Sequence, residues 1–192
     1  MQSLKISDQS LVKQYVQGNE ACLAMLINRH KDRIFTTIHL IVKDTYIAED
    51  LFQETFIKII RNLKRGKYNE EGKFLPWAIR IARNMAIDYF RKMKRMPTIT
   101  GSDGDDVFRK IKLAVDNKEE QIIRTEKESM VRSFIDKLPP EQRQVLILRH
   151  YGDLSFKEIA EMTGVSINTA LGRMRYALNN MRKMMEHSPL RA

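Results

Sequence analysis

The sequence predicts an all-α protein: two small helical domains joined by a flexible linker, the C-terminal one containing a helix-turn-helix. Three observations carry that expectation. Apolar residues recur at three- and four-residue steps through almost every periodic stretch of the 192 residues, no stretch shows a strand signal, and one polar, glycine-bearing segment interrupts the pattern past the midpoint.

Between Ser7 and Lys43, the residues Leu11, Tyr15, Leu23, Leu26, Ile27, Ile34, Ile38 and Ile41 keep helical spacing, and Gly18-Asn19 divides them into two helices. From Ile47, the positions Ala48, Leu51, Phe52, Phe56, Ile59, Ile60 and Leu63 form one apolar stripe, which defines a third helix. The polar loop Lys64 to Lys73 ends it. Phe74-Leu75-Pro76 then opens a fourth helix reaching about Lys94, with the proline in the first turn, where its missing amide hydrogen forfeits no bond.

Pro97 to Asp106 holds Gly101, Ser102, Asp103, Gly104 and Asp105 with hardly any large apolar residue, which is linker chemistry. Weak helical periodicity resumes from Val107, and a firm pattern returns near Glu126 with Val131, Phe134, Ile135 and Leu138. Pro139-Pro140 opens the next helix, through Val145 to Arg149. The expected boundaries are 1–96 for the first domain, 97–127 for the linker and 128–192 for the second domain.

In the second domain, Ser155-Phe156-Lys157-Glu158 has the form of a capping box, in which the serine oxygen takes the third amide and the glutamate returns to the serine amide. The helix it starts presents Ile159, Ala160 and Met162 and stops at Gly164; Ser166 can cap a second, longer helix. A short helix, a glycine turn and a longer amphipathic helix is the arrangement that lays a recognition helix in a major groove. Ile167, Ala170, Met174, Ala177, Leu178 and Met181 share one side of that helix. The other side shows Asn168, Thr169, Gly172, Arg173, Arg175, Tyr176, Asn179 and Arg182. Arginine suits guanine edges or phosphates, asparagine suits adenine edges, and threonine suits methyl or phosphate groups. Taken alone, the same pattern also fits an ordinary helical hairpin with a solvated basic face. Met181, Met184 and Met185 read as core filler.

The net charge of +10 and pI near 9.7 point to a polyanionic partner, and its distribution is uneven. Residues 58–96 carry twelve basic against three acidic side chains, residues 129–192 carry ten against six, and the stretch between them is slightly acidic. Within the first block, residues 73–95 interleave Phe74, Trp77, Tyr89 and Phe90 with Lys73, Arg80, Arg83, Arg91, Lys92, Lys94 and Arg95. That suits single-stranded nucleic acid, where aromatics stack on bases and cations follow the backbone. The alternative is an amphipathic helix whose Trp77, Ile81 and Met85 are core, and for Trp77 itself packing is the favoured role.

The one cysteine, Cys22, excludes an internal disulfide and reads as a buried, inert thiol in a reducing cytoplasm. His30, His39, His150 and His187 lack the neighbours of a metal site. No apolar run approaches a membrane span, so cytoplasmic residence without membrane insertion is expected. There is no nucleophile elbow, phosphate loop or metal cluster, so neither a cofactor nor bond-making chemistry is expected.

Three runs bear a family likeness: AEDLFQETFIKIIRNL, then FLPWAIRIARNMAIDYFRKMKR, then LPPEQRQVLILRHYGDLSFKEIAEMTGVSINTALGRMRYALNNMR. In order and spacing, over about two thirds of the chain, they resemble the sigma-70 superfamily, specifically its short extracytoplasmic-function (ECF) group. The resemblance implies a detachable promoter-recognition subunit of RNA polymerase. It implies that Asp50, Gln53 and Glu54, with Phe56 closing the Q-E-T-F motif, bind polymerase core. It implies that the W-x-x-R-I-A-x-N-x-x-x-D helix and the loop before it capture the melted non-template strand of the minus-ten element, through Lys73, Phe74, Trp77, Arg80, Asn84, Asp88, Arg91 and Arg95, with Asn84 on an extruded base. The helix-turn-helix becomes the reader of minus-thirty-five duplex, through Ser166, Asn168, Thr169, Gly172, Arg173, Arg175 and Tyr176. Sequestration by an anti-sigma factor is usual in the resembled group. One departure stands out: Leu171 and Tyr176 occupy positions where many relatives are basic, so base contacts do not carry over. Two other classes compete. A dimeric helix-turn-helix regulator would bind duplex operators without polymerase, and a general RNA-binding protein would leave the acidic Q-E-T-F helix without a task.

Overall fold

The computed structural model describes residues 6–69, 72–95 and 129–186. Among them all regular structure is α-helical. The first group comprises α1 (Asp8–Val16), α2 (Glu20–Val42), α3 (Thr45–Lys64) and α4 (Phe74–Arg95). The second comprises α5, described over 129–137, followed by α6 (Pro140–His150), α7 (Phe156–Thr163) and α8 (Ile167–Glu186). The expected linker, and the weak periodicity from Val107, lie outside the described residues.

Local chemistry sets the helix starts. Ser7, Asn19 and Asp44 each accept an amide from the first turn of α1, α2 and α3, which satisfies a donor that the helix leaves orphaned. Gly18, at φ 106°, makes the break between α1 and α2 that the sequence suggested. Pro139 precedes α6, and Pro140 occupies its first turn.

In the first group α2 is central, with α1, α3 and α4 packed around it. Leu11, Leu26, Ile34, Ile38, Ile59, Leu63, Phe74 and Ile79 are fully buried between them. Cys22 is buried as expected, its thiol directed at Gln14. In the second group Ile135, Leu138, Leu146, Ile147 and Ala177 form a smaller core, with Met174, Met181 and Met184 against it. One assignment needs correction: Met185 is 51% exposed, so it is not core filler. Ile167 and Leu178, on the apolar side of α8 in sequence, are each 46% exposed. The helix packs on α6 and α7, and its buried strip narrows to Ala170 and Ala177.

The two groups are packed together, which the sequence did not indicate. Leu40 of α2 enters the second core, while Val145, Leu148, Leu154 and Ile159 join the first. The Arg33 guanidinium donates from Nε to the Tyr151 carbonyl (3.0 Å) and from Nη2 to the His150 carbonyl (3.1 Å), supplying charge and donors where α6 ends. Lys43 pairs with Asp136 at 2.8 Å. With the Gln144 amide oxygen turned toward Arg83, it accepts at 2.9 and 3.2 Å. At Gly152 a Cβ would lie 2.6 Å from the Leu148 carbonyl oxygen and 3.0 Å from Ile79 of α4. Only glycine lets the 150–154 turn sit this close to α4. A cavity of about 250 Å³ between Leu40, Ile41, Ile87, Ile147 and Leu148, edged by Arg83, remains at the junction.

Asp8 ties α1 to α2: its carboxylate accepts from Arg29 at 2.5 Å and from His30 Nε2 at 2.7 Å. Burial lowers the His30 pKa by more than Asp8 raises it, with Arg29 and Arg33 adding to the depression. His39 is lowered too, by burial and by Arg132. Both imidazoles therefore bind protons less tightly folded than unfolded. Their contribution is fully present above the unfolded histidine pKa of about 6.5 and is lost as pH falls through the depressed folded values. Urea midpoints measured across this range are expected to decline toward acid, and His30→Gln is expected to flatten the decline.

Candidate nucleic-acid and polymerase interfaces

On α4 the residues named from sequence separate by burial. Arg80, Asn84, Asp88, Arg91 and Arg95 are all exposed at three- and four-residue steps, so they line one face of the helix. Asp88 accepts from Arg91 at 3.4 Å, an exposed pair of small energetic weight. Trp77, one turn before Arg80, is half-buried: its ring lies 4.5 Å from Tyr68 and 5.9 Å from Phe74, centroid to centroid. Phe74 is only 1% exposed and packs on His30, so a direct DNA contact by Phe74 is corrected to a core role that supports Trp77. Tyr68, which sequence reasoning passed over, belongs to the same aromatic cluster; its place in the polar loop gave no periodic signal.

Lys73 lies at the entrance of α4, 3.6 Å from Glu158 of the capping box. Burial opposes ionisation of Glu158, but hydrogen bonds from Ser155 and the charge of Lys73 outweigh it and hold the carboxyl below its ordinary value. One of the expected strand-binding cations is thus engaged by the other helical group. Arg83 faces away from the exposed stripe, half-buried at the junction, and its pKa is lowered by burial and by Arg91.

On α3 the Q-E-T-F motif divides in two. Asp50, Gln53 and Glu54 are exposed, and Tyr46 (72% exposed) and Ile57 (55%) extend the same face. Thr55 is fully buried, donating to the Leu51 carbonyl at 2.6 Å, and Phe56 is 7% exposed against Phe52. A direct polymerase contact by Phe56 is corrected accordingly: it anchors the helix. The motif couples an outward polar pair to an inward packing pair.

The helix-turn-helix is built as its residues dictate. Ser155 and Glu158 form both halves of the capping box, and Gly164 ends α7 at φ 69°. Ser166 caps α8 by accepting the Thr169 amide at 3.0 Å, and its hydroxyl also meets that of Thr169 at 2.8 Å. Asn168, Arg175 and Tyr176 are exposed; Gly172 and Arg173 are half-buried. Among the described residues no cluster of His, Cys, Asp or Glu could hold a metal ion, and no helix is long and apolar enough to cross a membrane.

Two helical groups thus present an acidic helix face, a basic aromatic helix and a capped helix-turn-helix. Residues 26–96 match Sigma-70 region 2, and residues 129–178 match Sigma-70, region 4. The RNA polymerase sigma-H factor of Pseudomonas aeruginosa is 30% identical over 87% of this chain and 88% of its own length. The ECF RNA polymerase sigma factor SigW of Bacillus subtilis is 28% identical over 91% and 94%. Among solved structures, CnrH in complex with the cytosolic domain of CnrY superposes with a TM-score of 0.63 at 19% identity, over 95% of this chain and 99% of that one. The sigma factor RpoE in complex with the anti-sigma factor NepR from Bartonella quintana gives 0.63 at 18% identity, over 85% and 96%. The chain belongs to the sigma-70 family, in its ECF group.

Proposed function

We propose that this chain binds RNA polymerase core through the exposed face of α3, captures the melted minus-ten strand along α4, and reads minus-thirty-five duplex with α8. The domain assignment follows: 1–96 for core binding and strand capture, 97–127 as tether, 128–192 for duplex reading. The chain makes and breaks no bonds. The observation that carries this reading is the exposed stripe from Arg80 to Arg95, with Asn84 in its middle and Trp77 at its head. Cations on such a stripe follow phosphates while an aromatic and an amide meet a base. Co-elution of the chain with polymerase core tests it; a dimeric operator-binding regulator would elute separately.

The packed arrangement has a consequence for this mechanism. Elements about 25 base pairs apart are separated by roughly 85 Å of duplex at 3.4 Å per pair. A folded 192-residue chain has a radius of gyration of only about 16 Å. The two groups therefore separate before both elements are read, and polymerase core then holds them at the working distance, so that two weak contacts act as one. Arg33→Ala removes two donors at the junction. It is expected to shift the packed-to-open balance by about 3- to 10-fold, given that Arg33 is only half-buried. Small-angle scattering of the free chain should show a larger radius of gyration in the variant.

A further inference from the structure

Gly172 lies in the second turn of α8, where glycine destabilises a helix relative to alanine. A Cβ built there would meet nothing within 4 Å, so no contact inside the protein requires the missing side chain. Helical steps of four and three place Gly172 with Asn168 and Arg175 on the side away from buried Ala170 and Ala177. Bare backbone thus sits in the middle of the outward face. Beside it are Leu171, 43% exposed, and Tyr176, 63% exposed. A single exposed leucine is ordinary. An exposed leucine next to a glycine with no packing role, on the leading half of a recognition helix, is not.

We propose that Leu171 contacts a thymine C5-methyl group in the promoter major groove, and that Gly172 gives the helix backbone the clearance to bring it there. This rests on the reading of α8 as the groove helix and adds what that helix selects. The thymine methyl is the apolar feature of the major-groove edge, and leucine offers it a surface without competing for donors or acceptors. Leu171 lies one turn from both Asn168 and Arg175, whose side chains suit adenine and guanine edges. The selected thymine therefore adjoins the positions those two read.

The test uses holoenzyme reconstituted from the full chain and polymerase core. Duplexes randomised across the minus-thirty-five segment are selected for binding, and each selected thymine is then replaced by uracil, which removes only the methyl group. Wild type should lose about four-fold in binding at one thymine position, the worth of one buried methyl-sized group. Leu171→Ala should bind the thymine and uracil duplexes equally. Gly172→Ala should bind all selected duplexes more weakly while melting at a higher temperature than wild type. An undiminished uracil effect in Leu171→Ala, or no thymine sensitive to the exchange, overturns the methyl contact. Wild-type binding by Gly172→Ala overturns the clearance. No sequence enrichment by the wild-type holoenzyme would remove the groove reading of α8 and this inference with it.

Discussion

Alanine at both Gln53 and Glu54 is expected to weaken polymerase core binding by roughly 30- to 2,000-fold, the combined worth of one neutral hydrogen bond and one charge-assisted bond at an interface. Both side chains are exposed, and the buried half of their motif, Thr55 and Phe56, is untouched by the change. The fold should therefore persist, with an unaltered circular-dichroism melt. The acidic face stands out on a chain of net charge +10, so a partner reached through it is not the nucleic acid that the basic blocks attract. Titration of labelled core with the double variant measures the loss. A folded double variant that binds core like wild type would move the docking surface away from α3.

Asn84→Ala is expected to impair promoter opening by about 5- to 150-fold while leaving closed-complex binding near normal. Its amide can take one or two hydrogen bonds to a base edge, together worth about 1 to 3 kcal/mol. That edge is available only after the duplex unpairs. On the proposed reading, closed binding uses α8 and phosphate contacts, which the substitution leaves alone. Asn84 is exposed in mid-stripe, so stability should not change. A pre-melted bubble template should not rescue the variant fully, because the lost contact is to the single strand itself. Permanganate reactivity on duplex and bubble promoters separates these steps. Wild-type opening by Asn84→Ala would return the residue to an ordinary solvated position.

Most of the fold was legible because each helix advertises its own ends. Gly18-Asn19, Pro76, Pro139-Pro140, the Ser155–Glu158 box and Gly164 act within a few residues of where they sit, and the structure uses each of them locally. Side-chain direction was less legible. Phe56 and Phe74 belong to motifs read as binding motifs, yet both are core, because a motif records which residues travel together and not which way each one points. Met185 reads as core filler in sequence yet is exposed on α8, as are Ile167 and Leu178 on its apolar side, since periodicity counts apolar residues without knowing how much neighbouring helix will cover them. The junction of the two groups had no sequence signal at all. Arg33 and the Tyr151 carbonyl lie 118 residues apart, and Gly152 reads locally as a turn glycine while its space is limited by Ile79 of a distant helix.

The most direct measurement of the central claim is permanganate footprinting of minus-ten thymines on a promoter chosen by the reconstituted holoenzyme, with core alone, the chain alone, and both together. Reactive thymines only in the combined reaction, lost when Gln53 and Glu54 are alanine, are the result expected of a chain that docks on core by α3 and captures the strand by α4. Duplex binding by the chain alone, with no thymine becoming reactive when core is added, would contradict it.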